Sequence, residues 1–445
     1  MGSTSALGGA GGSTTSSFNA QAYVAQIIAS EQGPEQVMQG QVSMLSAQAS
    51  ALSDLSTQLT GLQTTVQSLN DFQGPLAAKI ATSSNASAVG ATADNTASVG
   101  SHTLTVSSLA TTSSEYSSTL ANGTTTFTTG SFQVQVGTNT AATVTVTSAN
   151  NTLNGLASAI NAQNIGVTAS VIVDANGARL GLVSNTTGAP GDLTISGNTT
   201  GLTFTKAVTG TNAAYTLDGV SLASSSNNVT GALTGVTLNL AGVSASPVTV
   251  TIAPDTTQAT TAIQNFVDAY NNVIGSLNAQ FTYNSTTQTT GPLGSDTTAM
   301  QLQQQMLGDA AFSIGGNSGV TNLAAIGVTM NEDGTLSVNN TTLQAAMASN
   351  YNAVVNLFQQ ASPAGFGQNF ANALTTWTDP AQGPIAVDQQ GISQTTASLN
   401  QSISDFQANL NAQQQELLQV YSQVAVTLQQ MPSLISQVTQ QLASA

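Results

Sequence analysis

Two long stretches, one near each end of the chain, repeat small and apolar residues in steps of three and four, and almost no charge interrupts them. Toward the N-terminus the series runs Met38, Val42, Leu45, Ala49, Leu52, Leu55, Leu59, Leu62, Val66 and Leu69. Toward the C-terminus it runs Leu399, Ile403, Phe406, Leu410, Leu417, Tyr421, Val424, Leu428, Met431, Ile435, Val438 and Leu442. Alternating steps of three and four place these residues on one stripe of a helix, the spacing of a coiled-coil seam. Such a stripe is stable only when another helix covers it, so the extremities are expected to pair with each other or with other subunits. An ordinary intramolecular helix pair carries the same pattern. Either way the layout is that of an assembling structural protein more than of an enzyme.

Between the stripes the periodicity changes from helical to two. Residues 102–109, 131–137, 143–147, 166–174, 179–184, 193–197 and 247–253 are short Thr/Val strands separated by Gly and Asn turns. One short helix, 151–163, interrupts them, with Leu153, Leu156 and Ile160 on one face. The helical period returns after Asp255 or Thr256, either a natural N-cap, and a helix follows over 256–281. Further helices are expected at 296–312, 341–359 and 366–377, with a β-hairpin over 326–338 turning at Glu332-Asp333-Gly334. A helix–β–helix order means that a β region is inserted between two halves of a helical domain. The expected fold is α+β and multidomain: long terminal helices form a coiled-coil or helical-bundle leg domain (34–75 plus 256–431), with antiparallel β head domains nested inside it. Residues 1–17, rich in Gly, Ser and Thr, read as a disordered N-terminus. A short terminal helical segment (18–33), with Tyr23, Ile27 and Ile28 on one side, ends at Gly33-Pro34. The first long helix, about 34–72, would span roughly 58 Å. The last is expected from near Asp388 to Met431, roughly 66 Å, with Pro432 ending or kinking it before a C-terminal helical tail (432–445).

Only 5% of the 445 residues are charged, and Lys79, Arg179 and Lys206 are the sole basic ones. Without a basic patch the chain lacks the counter-charge for nucleic acid or an anionic lipid surface. The formal charge of −16 is spread over 19 acids with no acidic tail, so solubility rests on Ser, Thr, Asn and Gln. Two readings of this composition stand side by side: exposure to an acidic exterior, or an extracellular protein with a polar, uncharged surface. Cysteine is absent, which rules out disulfides and thiolate chemistry. The first seventeen residues have neither the basic nor the apolar region of a secretory signal, and no uncharged apolar run approaches the ~20 residues of a membrane helix. Export without a classical signal and no membrane insertion are therefore expected. After position 387 the only charges are Asp388, Asp405 and Glu416. Ion pairs normally fix register at a helical seam. Here Gln must do so weakly, and the terminal helices are expected to be marginal alone and ordered by assembly.

Candidate chemistry is sparse. His102, the only histidine, sits in a Thr/Val strand with no nucleophile pattern and no G-x-S-x-G turn nearby, and reads as a surface or packing residue. Asp174, Asn176 and Gly177 begin like a calcium loop, but the closing bidentate Glu is missing, and a hairpin turn fits them better. No phosphate loop or dinucleotide fingerprint occurs. A carboxylate pair for glycoside hydrolysis stays open, although the acids sit mostly in turns and helices. The aromatics Phe266, Tyr270, Phe281, Tyr283, Phe358 and Trp377 read as core. No catalytic, cofactor or metal site is expected.

Several segments, taken in order, resemble a known family. FNAQAYVAQIIASEQGPEQVMQGQVSMLSAQASALSDLSTQLTGLQTTVQSLND at the start and KIATSSNASAVGATADNTASVGSHTLTVSSLA (79–110) are followed by AYTLDGVSLASSSNNVTGALTGVTLNLAG (214–242), FVDAYNNVIGSLNAQFTYN (266–284), GPLGSDTTAMQLQQQM (291–306) and IGVTMNEDGTLSVNNTTLQAAMASNYNAVVNLF (326–358). The series is similar to the flagellar filament capping proteins, the hook-associated protein 2 family. Residues 152–188 resemble the flagellar hook IN repeat, with Ile160-Asn161 as its namesake pair. The chain departs from its relatives in having fewer Lys, Arg and Glu on the long helices, which bears on the ionic detail of subunit contacts. The resemblance implies an inner β domain (76–115 plus 213–255) and an outer β domain (116–212) containing the IN-like repeat. It implies a secreted, extracellular cap at the distal tip of the bacterial flagellum that promotes folding and insertion of exported flagellin, with adhesion as a further role. The implied partners are further copies of itself in a ring of five or six subunits, flagellin, hook–filament junction proteins, the flagellar type III export apparatus, and an export chaperone on the C-terminal helix (about 390–445). The expected mechanism is mechanical, with weakly specified contacts releasing and rebinding as flagellin enters. Leu410, Leu417, Val424 and Leu428 are the expected contact residues, with Leu45, Leu52 and Leu59 opposite. The alternatives are an extracellular adhesin whose β head binds glycans, and a filament subunit of the flagellin or hook–filament junction type.

Overall fold

The computed structural model describes residues 19–286, 288–360 and 364–443; the stretch 1–17, expected to be disordered, lies outside them. The helices among the described residues are α1 (Ala20–Glu31), α2 (Gly33–Asn70), α3 (Leu153–Ala162), α4 (Thr256–Phe281), α5 (Thr297–Ala310), α6 (Asn340–Gln359), α7 (Phe366–Thr378) and α8 (Pro384–Ala443). The chain divides into two compact units. One takes the residues up to Gln67, Gln264–Asn340 and those from Asn356 onward; the other takes Ser68–Ile263 and Thr341–Val355. The division falls inside α2, α4 and α6, so the β region is an insertion in the helical one, as the change of periodicity implies.

The helical unit is built on aromatic packing. Phe266 and Tyr270 of α4 meet Phe366 and Phe370 of α7, with edge-to-face contacts of 5.6 Å (Phe266–Phe366) and 5.7 Å (Phe266–Phe370). Phe358 closes the cluster at 5.7 Å from Phe366. All five side chains are buried, and such geometry adds about 1 kcal/mol per pair beyond area burial. Leu52, Leu55, Leu59 and Leu62 of α2 are buried in the same unit. Ala51, Asp54, Leu55 and Gln58 share a cleft with Ser276, Leu277 and Gln280 of α4. The Gln63 side chain bonds Thr375 and Thr378 of α7 at 2.9 and 3.2 Å. The hairpin expected over 326–338 forms from Val328–Met330 and Leu336–Val338, with Gly334 at φ +82°.

Two termini of helices depart from expectation. α8 begins at Pro384, because proline's fixed φ suits a first turn whose N–H has no partner anyway. It then continues through Pro432 to Ala443 as one 60-residue helix. The ring removes a single N–H bond, to the Leu428 carbonyl, on an exposed stretch open to solvent, so the helix runs on and the described residues of the expected tail are part of it.

The second unit holds two β cores. A five-stranded antiparallel sheet runs in the order Lys79–Ser83, Val248–Pro254, Gly100–Ser108, Ala213–Leu217, Val220–Ser224. With the three-stranded sheet Asn228–Leu233, Val236–Leu240, Val89–Ala93 it encloses Leu104, Val106, Tyr215, Leu238 and Val250. The second core lies between residues 120 and 204. There the sheet Phe204–Val208, Thr112–Ser117, Gly177–Thr187, Val167–Asp174 buries Ala169, Leu180 and Leu182 with Leu153, Leu156 and Ile160 of α3. Thr152 caps α3 through the Gly155 N–H, and Asp255 is the residue that caps α4, accepting from the N–H groups of Thr257 and Gln258.

In a chain so poor in charge, asparagine side chains close exposed backbone. Asn227 bonds both the N–H and the carbonyl of Ala110 (2.7 and 3.0 Å), and Asn271 does the same to Leu336 (2.7 and 2.8 Å). Each amide takes the place of a neighbouring strand, meeting one donor and one acceptor at once.

Candidate interaction site on the terminal helices

α8 carries the C-terminal stripe, and burial along it is graded. Ile385 and Ile392 are buried at its root, Leu399, Ile403 and Phe406 half-buried, and Leu410 buried. Leu410 shares a groove with Ile28 of α1, whose buried residues are Val24 and Ile28; of the expected face Tyr23, Ile27 and Ile28, only Ile28 is fully buried. Tyr23 instead sets its ring edge-on against Tyr421 of α8 at 5.3 Å. Two glutamines reinforce this pairing, Gln413 to Glu31 (3.2 Å) and Gln407 to Glu35 of α2 (2.6 Å). These are the amide-to-carboxylate contacts expected where ion pairs are missing.

Beyond Tyr421 the cover stops. Val424, Leu428, Met431, Ile435, Val438 and Leu442 keep the alternating four-three step on one helix face, and all are exposed, Leu428 at 48% and Leu442 at 74%. No charged residue follows Glu416. An uncharged helix with a continuous apolar stripe buries nothing to offset its ordering, and is stabilised by a partner.

The residues singled out in the sequence thus fall into different places. Leu52 and Leu59 are fully buried in their own unit, and Leu45 is half-buried. Within the single chain the helix set opposite Leu410 is α1. Leu417 is half-buried, while Val424 and Leu428 stand free for contact.

Elsewhere the charged groups serve structure. His102 Nδ1 lies 2.7 Å from the Asp218 carboxylate, which also accepts the Thr103 N–H at 2.8 Å. Asp218 (φ +50°) and Gly219 (φ +83°) form the two-residue turn between the strands Ala213–Leu217 and Val220–Ser224. The bonds from His102 and then Thr103 hold the Asp218 carboxyl below its ordinary range. Arg179 lies over the Tyr116 ring at 5.5 Å. Among the described residues no three His, Cys, Asp or Glu side chains gather as metal ligands would.

The sequence model for the flagellar hook-associated protein 2 N-terminus matches residues 16–113, and that for its C-terminus matches residues 210–433. The chain belongs to the flagellar hook-associated protein 2 family. The B-type flagellar hook-associated protein 2 of Pseudomonas aeruginosa is 28% identical over 321 residues, 65% of this chain and 67% of that protein. The flagellar hook-associated protein 2 of Escherichia coli K12 is 28% identical over 314 residues, 65% of this chain and 66% of that protein. The chain thus spans about two thirds of the length of these curated relatives. A crystal structure of the flagellar cap protein FliD D1-D2-D3 domains from Escherichia coli matches with a TM-score of 0.61 at 29% identity, covering 77% of this chain and 99% of that one. Between the two matched stretches lies the β core built around α3.

Proposed function

We infer that this protein caps the distal end of a bacterial flagellar filament. It acts there as a structural part, not as an enzyme. The observation that carries the reading is the uncharged apolar stripe on α8 from Val424 onward, exposed in the single chain and spaced to dock against other helices. Its setting in a hook-associated protein 2 chain gives that stripe its partners. They are further copies of this protein in a closed ring of five or six, flagellin entering beneath the ring, and the hook–filament junction before a filament exists. The protein reaches the outside of the cell through the flagellar type III apparatus, with an export chaperone covering the stripe until then. Leu410, Leu417, Val424 and Leu428 are the contact residues of this mechanism, with the half-buried Leu45. Because glutamines, not ion pairs, set the register, contacts release and re-form as each flagellin is added.

The test is complementation. The hosts are cells deprived of their own cap protein and, on this reading, unable to build filaments. This chain is expected to restore filament growth and swimming in them, and the same chain with Leu428→Asp is expected not to. Equal motility with Leu428→Asp would overturn the role of the stripe.

A further inference from the structure

Every Lys, Arg and His of the chain (Lys79, His102, Arg179, Lys206) falls in the second unit; the helical unit contains only acids. Inside it the Asp388 carboxylate has a buried oxygen without a donor. Asp388 lies on the face of α8 that carries Ile385 three residues before it and Ile392 four residues after it, both buried. Its Oδ2 is cut off from solvent and meets no donor. Against it stand the carboxyl of Asp296 and the hydroxyl of Thr298 at the start of α5. Asp296 is the N-cap of that helix, its Oδ1 accepting the Ala299 N–H at 2.9 Å.

Two ionised carboxylates in this position would repel each other and leave a buried oxygen unpaired, with no cation in the unit to relieve either. A single proton removes both costs: Asp388 donates it to Asp296, whose remaining charge is favoured by the N-terminus of α5. We propose that Asp296 and Asp388 share one proton, and that this proton latches the root of α8 onto α5. The Thr298 hydroxyl favours the ionised form of Asp388, but burial and the Asp296 carboxylate outweigh it, and Oδ2 still meets no donor. Asp309 sits at the far end of α5, α7 has no ionisable residue, Asp379 before α8 is occupied by the N–H groups of Gln382 and Ala381, and the next acid on α8 is Asp405.

Burial first, and then the Asp296 charge, raise the Asp388 carboxyl above its ordinary value. A raised carboxyl contributes stability that is full below the unfolded value, near 4, and lost as pH rises through the folded one. The latch is therefore closed in acid and opens as pH rises through the raised Asp388 value, loosening the root of the helix that carries the exposed stripe. This holds whether or not that stripe caps a filament.

Hydrogen exchange of the full-length protein, read on the peptide 384–395 and corrected for intrinsic rate, tests the latch. Protection is expected to fall between pH 4 and pH 7 by about tenfold for each pKa unit that separates the folded and unfolded carboxyl. Asp388→Asn, which can donate without a titrating proton, should flatten that fall and leave the peptide protected at pH 7. Asp296→Asn keeps the helix cap but removes the shared proton's second carboxylate, and should lessen the fall, which decides the matter even if the first variant folds poorly. The local peptide separates this effect from Asp309 and Glu115, whose carboxyls burial also raises. A flat profile in the unmodified protein, or an undiminished slope in Asp296→Asn, overturns the proposal.

Discussion

The side-chain amide of Asn161, at the end of α3, bonds both backbone groups of Ala169 on the edge strand Val167–Asp174: its Nδ2 donates to the carbonyl at 2.8 Å and its Oδ1 accepts the N–H at 2.7 Å. Ala169 is buried, so an unpaired edge there would be costly, and the amide stands in for the strand that the sheet lacks. Asn161→Ala is expected to destabilise the β core by about 2 kcal/mol, two net hydrogen bonds. Asn161→Asp, which keeps only the acceptor, should lose at least half of that. Urea unfolding followed by circular dichroism checks both.

Gly177 closes the Asp174–Gly177 hairpin turn at φ +127°, and a Cβ there would run into the Leu120 carbonyl oxygen. Gly177→Ala should cost about 2 kcal/mol or more, from backbone strain and displacement of the bonds that Ala178 exchanges with Leu120. A change below about 0.5 kcal/mol in the same unfolding experiment would refute that account.

The C-terminal stripe should separate folding from function. Val424 and Leu428 are exposed, so Val424→Asp and Leu428→Asp should move stability by less than about 0.5 kcal/mol. Trp377, the only tryptophan, lies in the helical unit and reports on it by fluorescence. Unchanged fluorescence melting with lost filament growth is the expected pair of results. Leu417→Asp, at a half-buried position, should lose both.

Acid should act on Asp192 in the opposite direction to Asp388. Asp192 binds the Lys206 ammonium (2.8 Å), the Gly210 N–H (2.9 Å) and the Ser113 hydroxyl (3.0 Å). Burial alone would raise its carboxyl, but these partners outweigh it and hold it below the usual range. A depressed carboxyl contributes stability above about pH 4 that is lost as pH falls through the folded value. Glu115, raised by burial, works the other way. Asp192→Asn should therefore flatten the acid loss of protection in the strand Gly177–Thr187, measured by hydrogen exchange below pH 4.

What the sequence revealed depended on how faithfully burial was written in side chains. α3, α4 and α5 bury regular apolar faces, and each is found within a few residues of where its spacing placed it. The strand Thr112–Ser117 went unread because its inward positions are Ser113, Glu115 and Ser117, and the two serines find partners, Val208 and Leu193 for Ser113 and Leu180 for Ser117, only once the neighbouring strands are in place. Lys79–Ser83 and Val89–Ala93 are short and half-covered, and Asn228–Leu233 hides a glycine at φ +82°. Asp218-Gly219 was a legible hairpin signal between two strands too short to draw notice. For the interaction site the stripe itself was plain. Which leucines were already taken was not, because α2 is covered from far along the chain: Leu55 shares its cleft with Leu277 of α4, more than two hundred positions away. The inward turn of Asp388 was equally silent, since a carboxylate between two isoleucines looks like any solvated helix position.

Confining all three lysines and arginines to the second unit also governs how the protein meets proteases. Trypsin and its relatives need those side chains in their specificity pockets, so the helical unit offers them no cleavage site even when α8 is fully extended into solvent. An enzyme with that specificity can cut only after Lys79, Arg179 and Lys206, all within strands of folded sheets. In surroundings rich in such enzymes, the long exposed helix survives by being chemically unreadable to them.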